Sequence, residues 1–431
     1  MSVISIATGK CGISIQEKIW MALLKEQGID GEGLINCQND RQGINVYFDE
    51  VKQDVFRPRS IIADLDDQEI NRIQNGFLKR LFQTSQSFSQ QESSQNIFPR
   101  GYHSHGAELK EEIEYGIQKQ VEVCDKVDSI QVQRSLCGGA GSGLGNVISD
   151  IIMDNYFSQI IHNTLVQLPD NKDENSWSTL EIYNTILSLH SLVISDIVIP
   201  FCNSNISNMN QNSFELQKQQ NFDTINNVVS EIHPNFTCGI RYPGSINASS
   251  RKICTNLVPF ARVKMMTATF LPFNYFRQNQ ISQLELIDLI PYTLNEKNYF
   301  FGHGNPSIIT SRHIFRSSNI FEEELELQLV KLYSKQEIPV WLPNSYSFQY
   351  CNVSSPFNKN QILTLILNRN IYNQLQVYKE KFDEMLKKRA FIHHYLQEGM
   401  DEMEFQEAKY NTSDLITEYQ ILCLFEGGQE E

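Results

Sequence analysis

The chain has 431 residues, enough for two or three cooperating domains with substantial cores. Its formal net charge is −15, from 36 Lys and Arg against 51 Asp and Glu. That balance argues against a nucleic-acid protein, which needs a basic face to neutralise phosphates. It suits solubility or basic partners equally well. No apolar run reaches the ~18 residues of a membrane helix, and the N-terminus lacks a basic flank before a long apolar core, so neither a membrane partner nor processing is expected. The cysteines (Cys11, Cys37, Cys124, Cys137, Cys202, Cys238, Cys254, Cys351 and Cys423) are dispersed and form no CxxC or Cys/His cluster. This fits reduced thiols in a cytosolic protein rather than a disulfide framework or a zinc site.

In chain order, the first half alternates short apolar runs with amphipathic stretches, which predicts βαβ units and a parallel sheet. Ser2 to Ala7 reads as the opening strand, ending at Gly9-Lys10-Cys11-Gly12, and Ile15 to Leu24 has helical spacing. Ser60 to Asp64 is a second strand with acidic residues at its end. The polar tract Gln83 to Asn96 reads as a loop without fixed structure. Glu108 to Cys124 reads as a helix. After the β-branched lead-in Ile130 to Val132 comes Ser135-Leu136-Cys137-Gly138-Gly139-Ala140-Gly141-Ser142-Gly143-Leu144-Gly145, then an Ile/Val-rich segment, Asn146 to Asp154. A glycine cluster between strand and helix lets backbone N–H groups converge on one anion, and the helix dipole adds attraction. Its spacing is neither the dinucleotide fingerprint nor a Walker loop.

Ile197 to Phe201 is predicted as a buried strand and Phe222 to Ile232 as a helix bridging the two halves. Asn235 to Val258 carries a turn at Arg241-Tyr242-Pro243-Gly244. Val263 to Leu271 and Gln361 to Leu367 read as strands of a second, mixed domain. From Tyr372 the pattern is helical to Tyr395, breaks at Gly399, and resumes from Met403 to Tyr419. His393-His394 reads as helix surface rather than a ligand pair. Ligands of open parallel sheets sit beyond the carboxyl ends of the strands. The Gly9 turn, the Asp64-to-Asp67 cluster, the Ser135 loop and Cys202-Asn203 all fall at such ends.

Ordered segments along nearly the whole chain resemble the tubulin family, most closely its β type. The glycine run is similar to GGGTGSG, with Cys137 at the first glycine and Ala140 at the threonine. Gly9-Lys10-Cys11-Gly12 resembles GQCG. Gly28-Ile29-Asp30 resembles GID, Asn45 through Glu50 resembles NVYYNE, and Gly106-Ala107-Glu108-Leu109 resembles GAEL. Arg241-Tyr242-Pro243-Gly244 resembles RFPG, Ile246-Asn247-Ala248 resembles LNA, and Asn256 through Phe260 resembles NMVPF. Arg389 through Phe405 is nearly KAFLHWYTGEGMDEMEF.

The resemblance implies an α/β fold. A Rossmann-type parallel-sheet GTP-binding domain would span 1–205, and a central helix with a mixed-sheet intermediate domain 206–371. A C-terminal helical hairpin, the crest, would span 372–425, with a short acidic tail at 426–431. It implies GTP or GDP as cofactor, with Mg2+ compatible. By this resemblance Gly9, Lys10, Cys11 and Gly12, together with Ser135, Gly138, Gly139, Ala140, Gly141, Ser142 and Gly143, contact the phosphates. Asp66 serves the phosphate-bound magnesium. Glu181, in Glu181-Ile182-Tyr183-Asn184, accepts from the ribose. Asn203 and Asn226 read the guanine edge, and Phe222 stacks on the base in place of a tyrosine.

Lys252 matches the β-type lysine presented to a neighbouring subunit's nucleotide, where an α-type subunit has a water-activating glutamate. The resemblance further implies α-tubulin or other tubulins as partners, with motors or associated proteins at the acidic crest Glu398 to Glu407. Location would be the cytoplasmic cytoskeleton. Departures from the pattern modify this. Lys10 replaces a glutamine, and its ammonium lessens the need for metal. Gln91 to Ile97 has lost the glycines of the loop that covers the terminal phosphate. Ala140 lacks a hydroxyl, and Trp177 stands where an aspartate would help hold the ribose. These point to nucleotide binding with GDP favoured, and against GTPase turnover. They suggest a specialised basal-body, centriolar or ciliary role in a unicellular eukaryote. The alternative is a non-hydrolysing structural or capping tubulin.

Overall fold

The computed structural model describes residues 1–35, 41–156, 159–170, 178–213, 222–242, 244, 249–272, 285–302, 307–336, 339, 341–342 and 345–424. The chain divides into two compact units, Met1–Val198 with Asn373–Thr417, and Ile199–Tyr372 with Glu418–Glu431. Among the described residues no helix is long and apolar enough to cross a membrane.

The strands of the first half are β1 (Ser2–Thr8), β2 (Phe48–Lys52), β3 (Val55–Pro58), β4 (Ser60–Asp64), β5 (Ser87–Ser89), β6 (Val127–Ser135), β7 (Ile161–Gln167) and β8 (Ile197–Phe201). Strands β2 and β3 pair as an antiparallel hairpin, and the other six form one sheet in the order β5-β4-β1-β6-β7-β8. The pairings β4–β5, β1–β4, β1–β6 and β6–β7 are parallel. Every residue of β1 is buried, as expected for a strand covered on both faces.

The two faces differ in chemistry because successive side chains alternate. Ile4, Ile6, Ile61, Ala63, Ile130 and Val132 meet an apolar stripe from the helix His105–Glu122 (Leu109, Ile113 and Ile117, four apart). They also meet Val147, Ile148, Ile151 and Ile152 of the helix Gly145–Tyr156. The opposite parity carries a buried polar ladder. Ser5 donates to Gln133 at 3.2 Å, Gln16 donates to Ser5 at 3.1 Å and to Ser60 at 3.2 Å, and Tyr47 donates to Gln131 at 3.0 Å. Buried amides so paired are tolerated and fix the seat of the helix Gly9–Gln27 on the sheet.

Register aligns the strand ends. Thr8 lies opposite Ala63, and Ala7 opposite Gln133, so β1, β4 and β6 finish along one edge. The Gly9 turn, Asp64–Asp67 and the Ser135 loop all leave from there, as predicted.

Two stretches depart from expectation. Gln83 to Asn96 is not loose throughout, since Thr84–Gln86 makes a helical turn and β5 pairs with β4. Phe88 anchors it against the core, close to Gly116, where a methyl group would stand 2.6 Å from its ring. One partly buried aromatic ring packed on the core outweighs a polar composition. Further on, the helix predicted from Tyr372 to Tyr395 stops at Lys387, where Arg389 and Phe391 adopt φ of 52° and 56°. A short helix Ile392–Gln397 follows, then Glu402–Leu424. That last helix starts from Asp401, whose side chain accepts from Met403 while its own N–H is taken by Glu404.

The second unit holds β9 (Thr267–Leu271), β10 (Ile308–Arg316), β11 (Tyr346–Cys351) and β12 (Gln361–Asn368), ordered β11-β10-β12-β9. Strand β10 runs parallel to β11 and antiparallel to β12, giving the expected mixed sheet. Its core joins Phe315, Tyr350, Ile362 and Ile366 to Leu325 and Leu329 of the helix Glu322–Tyr333.

Candidate functional site

Three loops of the first unit meet at the sheet edge, backbone against backbone. Gly9 turns with φ +66°, and a Cβ there would stand 2.9 Å from the Gly141 nitrogen. At Gly139 a Cβ would stand 2.5 Å from the Ile97 nitrogen, and at Gly143 2.4 Å from the Phe98 oxygen. Any side chain at these positions would force the loops apart. The closest approach therefore joins the Gly9 turn, the Ser94–Gly101 segment and the Cys137–Gly143 run, immediately before the helix Gly145–Tyr156.

The side chains of the glycine run are structural. The Ser135 hydroxyl accepts from Cys137 N–H at 3.2 Å, and buried Ser142 donates its hydroxyl to the Gly139 oxygen at 3.2 Å. Ala140 joins the apolar core. Gly12 sits so tightly on β6 that a Cβ would reach within 2.2 Å of the Gln133 oxygen. Burial pushes the Cys11 thiol up to about 12 and raises that of Cys137 as well, which favours the protonated thiol at neutral pH.

The Gln91–Ile97 loop turns without glycine. Gln95 and Asn96 take φ of 48° and 61°, a left-handed conformation that asparagine tolerates well. Their N–H groups point to serine hydroxyls of the same loop, Gln95 to Ser93 at 3.3 Å and Asn96 to Ser94 at 3.4 Å. Arg100 braces the segment from outside, donating to the Ser93 oxygen at 3.2 Å and to Glu92 at 3.1 Å.

Asn184 holds the assembly together, a role the sequence reading missed. Fully buried on the helix Thr179–Ile194, it donates to the Asn96 oxygen at 2.9 Å and to the Cys137 oxygen at 3.0 Å. Its own oxygen accepts from Phe98 N–H at 3.0 Å and from the Tyr395 hydroxyl at 2.9 Å. One amide thus ties the glycine run, the neighbouring loop and the C-terminal helices. The signal was its place in the Glu181–Asn184 quartet, where the glutamate alone drew notice. Glu181 caps the same helix, accepting from Ser178 N–H at 3.3 Å.

On the other flank, Asp66 caps the helix Asp67–Asn75 by accepting from Gln68 N–H at 3.0 Å. Burial raises the Asp64 carboxyl to about 7 even though Leu65 N–H donates to it at 2.8 Å. Lys10 reaches Glu69 at 3.3 Å. No group of three His, Cys, Asp or Glu side chains gathers as a metal site among the described residues.

In the second unit, Asn203 opens the helix Asn203–Ser213 directly after Cys202. The start of that helix is anchored by Cys202 N–H donating to the Phe300 oxygen at 2.9 Å and by Asn205 donating to the Tyr299 and Gly302 oxygens, each at 3.3 Å. Phe222 and Asn226, one turn apart, lie on the same side of the helix Phe222–Ser230, which packs on Asn203–Ser213. Phe222 is 65% exposed, an aromatic ring one turn from the Asn226 amide. Lys252 is exposed on the helix Ser250–Leu257, whose start is capped by Ser249. Trp177, Pro243 and Ile246–Ala248 lie outside the described residues.

A profile described as Tubulin/FtsZ family, GTPase domain matches residues 2–211. The tubulin beta chain of Saccharomyces cerevisiae is 31% identical over 425 residues, covering 97% of this chain and 92% of its own length. The chain belongs to the tubulin family. Tubulin beta chains of Schizophyllum commune, at 30%, and Candida albicans, at 29%, likewise align over 97% of the chain and 94% of their own length. This is a divergent, β-like tubulin, about 30% identical overall to each of these relatives across 97% of the chain.

Proposed function

We propose that this β-like tubulin binds GTP or GDP at the strand ends of its first unit and assembles head-to-tail with α-tubulin or other tubulins in the cytoplasmic cytoskeleton. The observation that carries the reading is the close approach of three loops, permitted by Gly9, Gly139 and Gly143, at the amino end of a helix, a geometry suited to phosphate. Gly9, Cys11, Gly12, Ser135 and Gly138 through Gly143 would cradle the phosphates, and Glu181 would reach the ribose. Asn203 and Asn226 would read the base and Phe222 would stack on it. Asp66 retains one carboxylate oxygen that a phosphate-bound Mg2+ could use, so the residues fit such an ion as a single protein ligand.

Hydrolysis has less support. Loop amides that would face a terminal phosphate are engaged by Ser93 and Ser94. Lys252 offers a neighbour's nucleotide charge attraction rather than a base for water. At the crest, Glu398 and Glu404 pair inward with Arg100 at 3.3 Å and His103 at 2.9 Å. Asp401, Glu402, Met403, Glu407 and Tyr410 remain exposed as a surface for motors or associated proteins. A specialised basal-body or ciliary post would fit the altered loops. So would a capping adapter without a nucleotide cycle.

Co-sedimentation separates these readings. The chain should pellet with polymer when mixed with assembling tubulin and GTP, whereas Gly139→Val, which pries the loops apart, should remain in the supernatant. Equal pelleting of both proteins would favour the adapter.

A further inference from the structure

Lys10 is oddly placed for a structural lysine. It occupies the first turn of the helix Gly9–Gln27, where the dipole disfavours a cation. Its stem departs from the residue after Gly9, where a Cβ would stand 2.9 Å from the Gly141 nitrogen, so the side chain starts beside the glycine run. Glu69 receives it at 3.3 Å, but that carboxylate is already held by Arg72 at 2.7 Å, and Arg72 is shared with Glu17 at 2.8 Å. The Lys10 side chain is 81% exposed while that of Glu69 is only 15% exposed, and because Arg72 also holds Glu69 the carboxylate stays paired when the solvent-facing ammonium leaves. On the same flank, Asp66 uses one oxygen to cap its helix, which leaves a single carboxylate oxygen for a phosphate-bound ion.

We propose that the Lys10 ammonium supplies most of the phosphate-charge neutralisation that a divalent ion would otherwise provide, so that this site takes a guanosine diphosphate or triphosphate almost independently of magnesium. The inference rests on the nucleotide-binding reading above. On binding, the ammonium swings from Glu69 to the phosphate oxygens, and Arg72 continues to satisfy Glu69.

The test measures GDP affinity of the full-length chain, stripped of nucleotide, in EDTA and in excess Mg2+. Wild type should differ by less than about threefold between the two buffers, and Lys10→Gln should bind about tenfold more weakly in EDTA and recover most of that in Mg2+. Glu69→Gln, which frees the ammonium, should bind at least as tightly as wild type in EDTA. A wild-type chain that loses tenfold or more in EDTA, or a Lys10→Gln chain that loses nothing there, would overturn the inference while leaving nucleotide binding intact. Absence of GDP binding by wild type in both buffers would instead remove the reading on which it rests.

Discussion

Asn184→Leu is expected to destabilise the first unit by about 3 kcal/mol, since it deletes four hydrogen bonds, strands the buried Phe98 N–H and leaves the part-buried Asn96 and Cys137 carbonyls without this donor. The side chains are of similar size, so the loss is one of polar partners rather than packing. Nucleotide affinity should fall with it, because the amide sets the spacing between the glycine run and the Gln91–Ile97 loop. Two milder changes apportion the effect. Tyr395→Phe removes a single bond and should cost about 1 kcal/mol. Asn184→Asp keeps the acceptor for Phe98 and Tyr395 but sets a carboxylate against two carbonyl oxygens, so it should loosen the loops more than the crest. Chemical denaturation reports the stabilities, and hydrogen exchange at residues 94–98 and 137–141 reports the loops. An Asn184→Leu chain with wild-type stability and wild-type exchange would show that the clamp holds nothing.

Acidification should weaken the second unit through two buried histidines. His313 bridges Thr364 at 3.0 Å and Tyr333 at 2.7 Å, and Ser311 also lies within hydrogen-bond reach of the Tyr333 hydroxyl. With Ser311 donating to Tyr333 and Tyr333 to Nε2, Nδ1–H is left to donate to Thr364, and every member is satisfied with the imidazole neutral. Burial alone pushes His313 and His233 down to about 3.

The sign follows from proton uptake. Below about pH 6.5 the unfolded chain binds a proton at each histidine and the folded chain does not, so stability is lost as pH falls from there toward 3. Each site contributes a slope of about 1.4 kcal/mol per pH unit, or about 2 kcal/mol between pH 6.5 and 5. Denaturation at pH 7 and pH 5 should therefore show a smaller loss for His313→Asn than for wild type, by about 2 kcal/mol. Carboxylates common to both proteins cancel in that difference. Identical pH dependence in the two proteins would mean that His313 accepts a proton without unfolding.

Much of the architecture was legible because its signals are local. Alternating apolar runs gave β1, β4 and β8, with β4 and β8 at their observed bounds, and the glycine run marked the edge where loops converge. What escaped depends on contacts distant in sequence. Strand β5 is Ser-Phe-Ser within a Gln- and Ser-rich tract, and Phe88 packs on a core built from other segments. The helix stop at Lys387 comes from two left-handed residues, Arg389 and Phe391, neither of them a glycine that would announce a break. Asn184 carried no mark separating it from an ordinary helix asparagine, since its four partners come from three other places in the chain. Lys10 was noticed as an unusual residue beside the phosphate loop, but its pairing with Glu69 could not be read from spacing.

A guanine nucleotide at the glycine-lined edge of the first unit is the central expectation for this protein. Acid release of small molecules from the purified chain, followed by chromatography, tests this directly. Close to one guanosine diphosphate or triphosphate per chain is expected, and Gly139→Val should carry none. A wild-type chain that yields no nucleotide, or yields adenine nucleotides instead, would contradict it.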